Sequence, residues 1–405
     1  MDKKVYAIVG NWSFEAKPAK GKGISIFTYE EETGELALIE TLRPDVAAGQ
    51  LCLDKKRSMV YVCNECGERR GEVGGGGYLM AYQFDPATGR MTLVSEKESL
   101  CPEPSYVCLD PTGKYLLACH CADPWHVTKI VRNEDGTLSN EVLFDDAGVV
   151  MFRICEDGSL GEVCDVAVNP GTGGKDPRSQ VNVDPVSGHI QLVEVISRLH
   201  SVVASPSGKI FVVCDKGMDR VYTYRINYES ERLEKLDEWI SDDIASFPRY
   251  GAFHPTLPVY YLDNENHAVM NCFHYDDETG KLDCFLTLPL LDEDPGLVDG
   301  KPVGAQDIMV HPNGQCLYVT LCGLNLIVVL KLDEKGMPTV VQRVPSGGNL
   351  PRGLQLSPDG RFLLSGNMVS GDITSFAVSE DGLLTPTGKT YEAVSPSAIR
   401  FWKEE

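Results

Sequence analysis

Short apolar runs recur along the chain at intervals that are mostly about 45–60 residues, and polar turns separate them. Seven of these runs align with one another: VYAIVGN, MVYVCNE, YLLACHC, IFVVCDK, VYYLDNE, CLYVTLC and FLLSGNM. A repeat of this length that is built of several short strands is typical of a β-propeller blade. The pattern therefore predicts an all-β fold with seven blades, and it contains no amphipathic helix of substantial length.

A further strand and a hairpin follow each aligned run. In YLMAYQFDPATGRMTLV and VMNCFHYDDETGKLDCF, for example, Asp, Thr and Gly separate two β-rich segments, and these residue types favour tight turns. Each blade is therefore predicted to hold four antiparallel strands. The chain opens directly on VYAIVGN and ends on the isolated segment PSAIRFW. We expect this C-terminal segment to pair with the first blade and close the ring, which leaves no free sheet edge at the seam.

Two segments are longer than the repeat requires, around residues 121–147 and 169–199. The first has room for an additional hairpin, and long insertions in a propeller often lie on one face and shape the binding site. A glycine-rich stretch from Glu65 to Tyr78 is interpreted as a flexible connection, because no helix start or Lys-Ser/Thr pair follows it as in a phosphate-binding loop. We expect residues 1–405 to form one propeller domain with these insertions.

Composition and charge restrict the kind of partner. A formal net charge of −22 argues against nucleic acid, since clustered Lys and Arg bind phosphate backbones. It does not exclude an anionic small molecule, because a few cations in a pocket can outweigh the global field. No apolar run suits a membrane span or a signal peptide. We therefore expect a cytoplasmic protein whose fourteen cysteines are reduced thiols, with no metal and no cofactor. Nothing in the sequence indicates an oligomeric state.

A column of polar residues stands where the innermost strand of each blade is predicted to begin. The innermost strands line the propeller axis, so a polar column there is expected to bring a histidine and two arginines together. The position lies five residues before the turn that ends the strand, and its occupants are Ser105, His200, Arg249, Gln306 and Arg352, with Gly49 in a blade whose turn lacks proline.

A second polar column ends the aligned runs: Asn11, Asn64-Glu65, His120, Asp215, Asn264-Glu265 and Asn367. Asn and Asp also suit turns, and we favour that interpretation for Asn11 and Asn367. Glu265 is either a base with a tuned pKa or a salt-bridge partner of an arginine. His120 alternates with two cysteines and points to the opposite face, where it either reaches the same end of the axis or is structural.

The segments LHSVVASPSGKIFVVCDKGMDRVYTYRI, PRYGAFHP, HPNGQCLYVT and PRGLQLSPDGRFLLSGN, together with EDGSLGEVCDVAVNPGTGGKDPRSQ, resemble the bacterial 6-phosphogluconolactonase family of seven-bladed propellers. That family includes the fungal carboxy-cis,cis-muconate cyclase, and the resemblance spans essentially the whole chain. It implies an active site that contains a histidine, an arginine from a Pro-Arg-His motif and a glutamate from an Asn-Glu motif. Carried over, these fall on His200, Arg249 and Glu265.

Four positions depart from the family pattern. Cys322 stands where a second active-site arginine is expected, Arg198 replaces the first histidine of Pro-His-x-His, Tyr250 replaces the histidine of Pro-Arg-His, and Gln306 replaces a glutamate. These departures leave the substrate open. We expect the remaining site residues to bind substrate: Arg352, Gln306, Arg198, His120, Asp215 and Asn264.

Three functions are compatible with these residues. The first is a metal-independent lactonase acting on a sugar-derived lactone or another anionic small molecule, in which arginines stabilise the oxyanion and His200 or Glu265 holds the water. The second is a cycloisomerase or lyase that moves a proton next to a carboxylate. The third is a non-catalytic propeller that binds a ligand or a protein, because one fold hosts many functions.

Overall fold

The computed structural model describes residues 4–12, 23–66, 68–69, 72–73, 76–122, 126–170, 172, 174–183 and 190–403. In these residues there is no helix, and thirty-six strands form seven four-stranded antiparallel sheets and four two-stranded hairpins. The predicted all-β class and the seven four-stranded blades are confirmed. The two expected insertions are described except for residues 123–125, 171, 173 and 184–189, which lie outside these ranges, as do parts of the glycine-rich stretch.

The strands are numbered in chain order, and each blade is given from its innermost strand outward. Blade 1 holds β36 (Pro396–Lys403), β1 (Val5–Asn11), β2 (Ile24–Glu30) and β3 (Glu35–Leu42). Blade 2 holds β4 (Leu51–Asp54), β5 (Met59–Asn64), β8 (Tyr78–Asp85) and β9 (Arg90–Glu98). Blade 3 holds β10 (Pro104–Leu109), β11 (Tyr115–His120), β14 (Ala147–Ile154) and β15 (Leu160–Asn169). Blade 4 holds β18 (Leu199–Ala204), β19 (Phe211–Asp215), β20 (Arg220–Asn227) and β21 (Arg232–Ile240).

The remaining blades follow the same order. Blade 5 holds β22 (Pro248–Phe253), β23 (Val259–Asn264), β24 (Val269–Tyr275) and β25 (Leu282–Pro289). Blade 6 holds β28 (Ala305–Val310), β29 (Cys316–Leu321), β30 (Leu326–Leu332) and β31 (Pro338–Pro345). Blade 7 holds β32 (Pro351–Leu356), β33 (Phe362–Asn367), β34 (Asp372–Val378) and β35 (Leu384–Glu392). The hairpins are β6–β7 (Glu68–Arg69, Glu72–Val73), β12–β13 (His126–Arg132, Leu138–Phe144), β16–β17 (Gln180–Val183, Ile190–Val193) and β26–β27 (Leu297–Val298, Lys301–Pro302).

The C-terminal strand closes the ring, as the sequence predicts. β36 runs antiparallel to β1, with partners from Val5 and Lys403 to Gly10 and Ala398. Each innermost strand contacts the innermost strand of the next blade, and the series returns from β32 through β36 to β4. Seven sheets therefore surround one axis, and the termini of the described chain meet in one blade.

The core lies between neighbouring blades. Leu117 and Met151 of blade 3, for example, pack in one cluster with Val202 and Val213 of blade 4. Both faces of a second strand are therefore covered, and β11 is buried along its whole length. This explains why the aligned runs are continuously apolar, whereas the outermost strands are mostly exposed or partly exposed, as in β9.

The first insertion contains the expected additional hairpin, β12–β13, and the second contains β16–β17. All fourteen cysteines are free thiols. Among the described residues, no helix is long and apolar enough to cross a membrane.

Candidate active site

A β-bulge near the start of the innermost strand is common to six blades. In blade 4, Leu199 pairs with Asp215 and Ser201 pairs with Cys214, so His200 has no partner in the ladder. The same omission falls on the equivalent residues of the other five, which are Ser397, Ser105, Arg249 with Tyr250, Gln306 and Arg352. A bulge re-aims a side chain at the point where it interrupts pairing. The polar column of the sequence is therefore a ring of bulged residues.

The residues that follow the second strands lie beside this ring, because in the six bulged blades the last residue of the second strand pairs with the first residue of the innermost strand, as Asp215 does with Leu199 and Asn264 with Pro248. Three of these following residues are charged, namely Glu65, Lys216 and Glu265, and we call them the charged rim. The bulges and the rim together place charged groups from several blades at one end of the axis.

Glu265 lies at the centre of the site and is held by two cations. Lys216 donates a hydrogen bond from Nζ to Oε2 of Glu265 over 2.9 Å, and Nε of Arg249 lies 3.1 Å from the same oxygen. Burial tends to raise the pKa of Glu265, but Lys216 and Arg249 outweigh it and lower the pKa to about 2. The carboxylate is 26% exposed, and its contacts fall on Oε2, so Oε1 remains available to a bound molecule.

Arg249 is fully buried beneath Glu265. One of its terminal nitrogens donates to the backbone oxygen of Gln306, and the guanidinium stacks at 4.2 Å over the ring of Tyr250. The NH2 group has no hydrogen-bond partner among the described residues. A buried guanidinium that keeps one donor unused can bind a carbonyl or an anionic oxygen.

His200 packs edge-on against Tyr250, with ring centroids 5.3 Å apart. Burial lowers its pKa well below the usual value, and the nearby positive charges of Arg249, Lys216, Arg352 and Arg198 lower it further. The imidazole is therefore neutral at pH 7. Its Nδ1 atom is buried and makes no hydrogen bond to any described residue.

Arg352 completes the cationic side of the site. Its guanidinium lies 4.0 Å over the ring of Trp12, and NH2 is 3.9 Å from Oε1 of Glu65. Both partners of this long ion pair are nearly buried, at 6% and 8% exposure. A cation over an aromatic face is stabilised without a counter-ion, so Arg352 keeps most of its hydrogen-bonding capacity for an incoming anion.

The local charge balance is opposite to that of the whole chain. Four cations act on His200, whereas the rim carries two carboxylates, Glu65 and Glu265. Two further carboxyl groups lie near Arg249, Asp263 fully buried and Asp307 partly buried, and desolvation raises the pKa of Asp263 to about 8 and that of Asp307 to about 6. Asp263 is therefore mostly neutral at pH 7, and the site attracts anions despite the net charge of −22.

The structure brings together His200, Arg249, Glu265 and Arg352, and it places Arg198 close enough to act on His200. Gln306 belongs to the same ring of bulged residues. Its side chain contacts Sγ of Cys322, 3.6 Å away, and Cys322 stands at the position where the family pattern has a second arginine.

Three residues that we expected to bind substrate are engaged elsewhere. Asp215 accepts hydrogen bonds from Oγ of Ser197, at 2.5 Å, and from the backbone N–H of Arg198, at 2.8 Å. His120 is fully buried, and its Nδ1 lies 3.1 Å from the carbonyl oxygen of Gly148. Asn264 donates to the side chain of Asn271, at 2.8 Å. These contacts support the blades from inside, and a role of the three residues towards substrate stays a prediction.

Lys216, Trp12 and Tyr250 also contact the site residues, although none of the three was predicted to act on substrate. A signal for Lys216 is present in the sequence. In blades 2 and 5 the second polar column includes two residues, Asn64-Glu65 and Asn264-Glu265, but in blade 4 it was taken to include only Asp215. Lys216, the next residue, is the one equivalent to Glu65 and Glu265.

Among the described residues, no group of three or more His, Cys, Asp or Glu side chains is arranged to hold a metal ion.

The protein is a seven-bladed propeller with bulged inner strands and a cationic site at one end of its axis. These features define its class. The family model described as "Lactonase, 7-bladed beta-propeller" matches residues 8–401. The chain belongs to this lactonase family, which confirms the resemblance seen in the sequence.

Relatives and solved structures of the same kind cover most of the chain. The 6-phosphogluconolactonase of Bacillus subtilis is 24% identical over 391 residues, which span 94% of this chain and 95% of the relative. That of Cronobacter sakazakii is 24% identical over 302 residues, or 69% of this chain and 89% of the relative. The periplasmic gluconolactonase PpgL of Pseudomonas aeruginosa has a similar structure, with a TM-score of 0.78, 25% identity and coverage of 98% and 99%.

Proposed function

We propose that this protein hydrolyses the lactone of an anionic, sugar-derived acid at the site formed by Arg249, Glu265, His200, Arg352 and Lys216. The observation that carries the proposal is the Glu265 carboxylate, one oxygen of which is held by two cations while the other is open. Membership in the lactonase family and the names of the relatives support the reaction class.

The excess of positive charge accounts for the choice of an anionic substrate. The charge of Arg352 is only loosely balanced, because the Glu65 carboxylate lies 3.9 Å away, and Arg198 adds a further positive charge near His200. An arginine binds a carboxylate or a phosphate with two parallel hydrogen bonds. We assign the acidic group of the substrate to this side of the site, which leaves Glu265 and Arg249 for the lactone ring.

The hydrolytic step follows from the positions of Glu265 and Arg249. Water bound to Oε1 of Glu265 attacks the lactone carbonyl carbon and gives a proton to the carboxylate. The carbonyl oxygen becomes an oxyanion and accepts a hydrogen bond from NH2 of Arg249. The bond from this carbon to the ring oxygen then breaks, and the ring oxygen takes up a proton to give the open hydroxy acid. A single fixed donor to an oxyanion contributes about 3–4 kcal/mol to such a reaction.

A carboxylate with a pKa of about 2 is a weak base in the free protein. When an anionic substrate pairs with the cations of the site, the attraction that Lys216 and Arg249 exert on Glu265 is partly redirected to the substrate. The basicity of Glu265 then rises at the stage at which a base is required. His200, which is neutral and buried, is proposed to fix the substrate through hydrogen bonds.

The experiment that tests the proposal measures acid release from phosphorylated and unphosphorylated sugar lactones in a pH-stat, after subtraction of spontaneous hydrolysis. We expect E265Q to lower kcat about 10²- to 10⁴-fold. E278Q serves as the matched control, since Glu278 is 76% exposed in a surface ion pair, and it should leave kcat unchanged. Absence of turnover above background in the wild-type protein, or equal rates for wild type and E265Q, would refute the assignment.

A further inference from the structure

The charged rim contains a second carboxylate in surroundings unlike those of Glu265. Glu65 comes from blade 2 and Glu265 from blade 5, and each follows an asparagine that ends a second strand. Glu265 is gripped at 2.9 Å and 3.1 Å by two cations. Among the described residues, the cation closest to the Glu65 carboxylate is Arg352, 3.9 Å away, and none of them donates a hydrogen bond to this carboxylate. The site therefore contains two carboxyl groups, one held by two close cations and the other 3.9 Å from a cation.

The backbone around Glu65 is shaped to bring its carboxylate inward. The N–H of Glu65 donates to the carbonyl of Ala47, at 2.9 Å, which ties the rim to the segment that precedes β4. A Cβ atom at Gly49 would lie 2.1 Å from Oε2 of Glu65. The carboxylate therefore occupies space that any residue other than glycine would fill. Gly49 holds the position of the bulged residues in its blade, which explains why the polar column has a glycine there.

We propose that Glu65 is a catalytic residue that donates the proton to the leaving ring oxygen, an inference that rests on the proposed lactonase function. As the bond between the carbonyl carbon and the ring oxygen breaks, the electron pair goes to the ring oxygen, and the proton moves to it from the Glu65 carboxyl. Glu265 has meanwhile taken a proton from water. Glu265 then releases its proton to solvent and Glu65 takes one up, so both residues return to their initial states.

The unlike surroundings favour this division of roles. Burial raises the pKa of Glu65, and the attraction of Arg352, Lys216 and Arg249 offsets this only in part. Lys216 and Arg249 lower that of Glu265. Two carboxyl groups whose surroundings shift their pKa values in opposite directions suit one acid and one base. An alkoxide is a poor leaving group, so ring opening of an aliphatic lactone gains from a proton donor.

A simpler role for Glu65 is to balance the charge of Arg352. In that case E65Q would weaken or misplace substrate through Arg352, which raises KM, and the pH dependence of kcat would keep its form. For a general acid, E65Q instead lowers kcat and abolishes the decline of kcat at alkaline pH, because the titrating group is gone. The form of the pH profile therefore separates the two roles.

The test compares wild type, E65Q, G49A and the control E278Q, with a sugar δ-lactone that wild type hydrolyses. We expect E65Q to lower kcat about 10²- to 10⁴-fold and to remove the alkaline limb. We expect G49A, which displaces the carboxyl group without removing it, to lower kcat at least tenfold while the limb remains. Infrared difference spectra of E65Q against wild type should contain the band of a protonated carboxyl group above the usual pH range of glutamate.

Each outcome supports or overturns the assignment of Glu65 as the general acid. Loss of kcat together with loss of the alkaline limb in E65Q supports the proposal. An unchanged kcat, a rise confined to KM or a retained alkaline limb in E65Q overturns the acid role while wild-type turnover upholds the lactonase function. If wild type hydrolyses no lactone, the proposed function itself fails, and the assignment of Glu65 fails with it.

Discussion

Lys216 offers the most direct test of the electrostatics of the site. Replacing it with methionine, K216M, keeps the length and apolar character of the side chain and removes only the ammonium group. Lys216 and Arg249 share Oε2 of Glu265, at 2.9 Å and 3.1 Å. After the substitution Arg249 still holds the carboxylate, so the site should remain folded, and one of its two attractive charges is lost.

The expected magnitude follows from the two contacts. The pKa of Glu265 is about 2, against an ordinary value of 4.5. The full Coulomb attraction of a charge at 3 Å is about 5 kcal/mol at an effective dielectric constant of 20, but solvent reaches the carboxylate and burial of Lys216 opposes its charged form. We therefore expect the pKa of Glu265 to rise by about one to two pH units, which corresponds to about 1.4–2.7 kcal/mol.

The assay is a titration of the side-chain carboxyl carbons by NMR in labelled wild type and K216M, with E265Q used to assign the Glu265 signal. The acid limb of kcat/KM should move upward by the same amount. K209M is the matched control, because Lys209 lies in an exposed ion pair with Glu278 and its removal should leave Glu265 unchanged. A shift of Glu265 below about 0.3 pH unit, or a shift to lower pH, would refute the reasoning.

Three further perturbations address the scaffold. D215A leaves the Ser197 hydroxyl and the N–H of Arg198 without their acceptor, and we expect it to lower the free energy of unfolding by about 2–4 kcal/mol in urea denaturation; an unchanged midpoint would contradict the structural role of Asp215. Burial lowers the pKa of His120 to about 4 from 6.5. The unfolded chain therefore binds the proton more tightly than the folded protein does. The free energy of unfolding is highest above pH 6.5 in this respect, and it falls by up to about 3 kcal/mol as the pH falls towards 4. H120Q should flatten that part of the stability profile, and an identical profile would argue against burial of a neutral imidazole. Deletion of residues 396–403 removes β36 and leaves β1 and the ring open, so we expect a chain that no longer unfolds cooperatively in circular dichroism or calorimetry; a cooperative transition at the wild-type temperature would contradict closure by this strand.

The fold could be predicted from local features because each feature is decided within a few residues. The aligned runs are apolar throughout, since both faces of β11 and its equivalents are covered by neighbouring blades. Turn residues mark each hairpin, and the isolated segment PSAIRFW had no partner other than the first blade. The count of seven blades and the closure of the ring follow from these patterns alone.

The candidate site could be predicted only in part. The polar column identified His200, Arg249 and Arg352, because it has the same place in every blade relative to the turn that follows. Glu265 was found through its Asn-Glu pair and through the resemblance to the family. Arg249 and Glu265 belong to the same blade, but their meeting with His200 of blade 4 and Arg352 of blade 7 depends on the ring.

The direction of each side chain was decided by the tertiary structure. In a strand, a shift of one residue moves a side chain to the opposite face, and the bulge in six of the inner strands is such a shift. Asp215 is therefore turned into its blade while Lys216 reaches Glu265, although the two are neighbours in sequence. The sequence determined which segments form strands and where the ring closes, because those depend on local periodicity. Which of two adjacent polar residues enters the site depends on pairing between strands, and that was settled only when the blades packed around the axis.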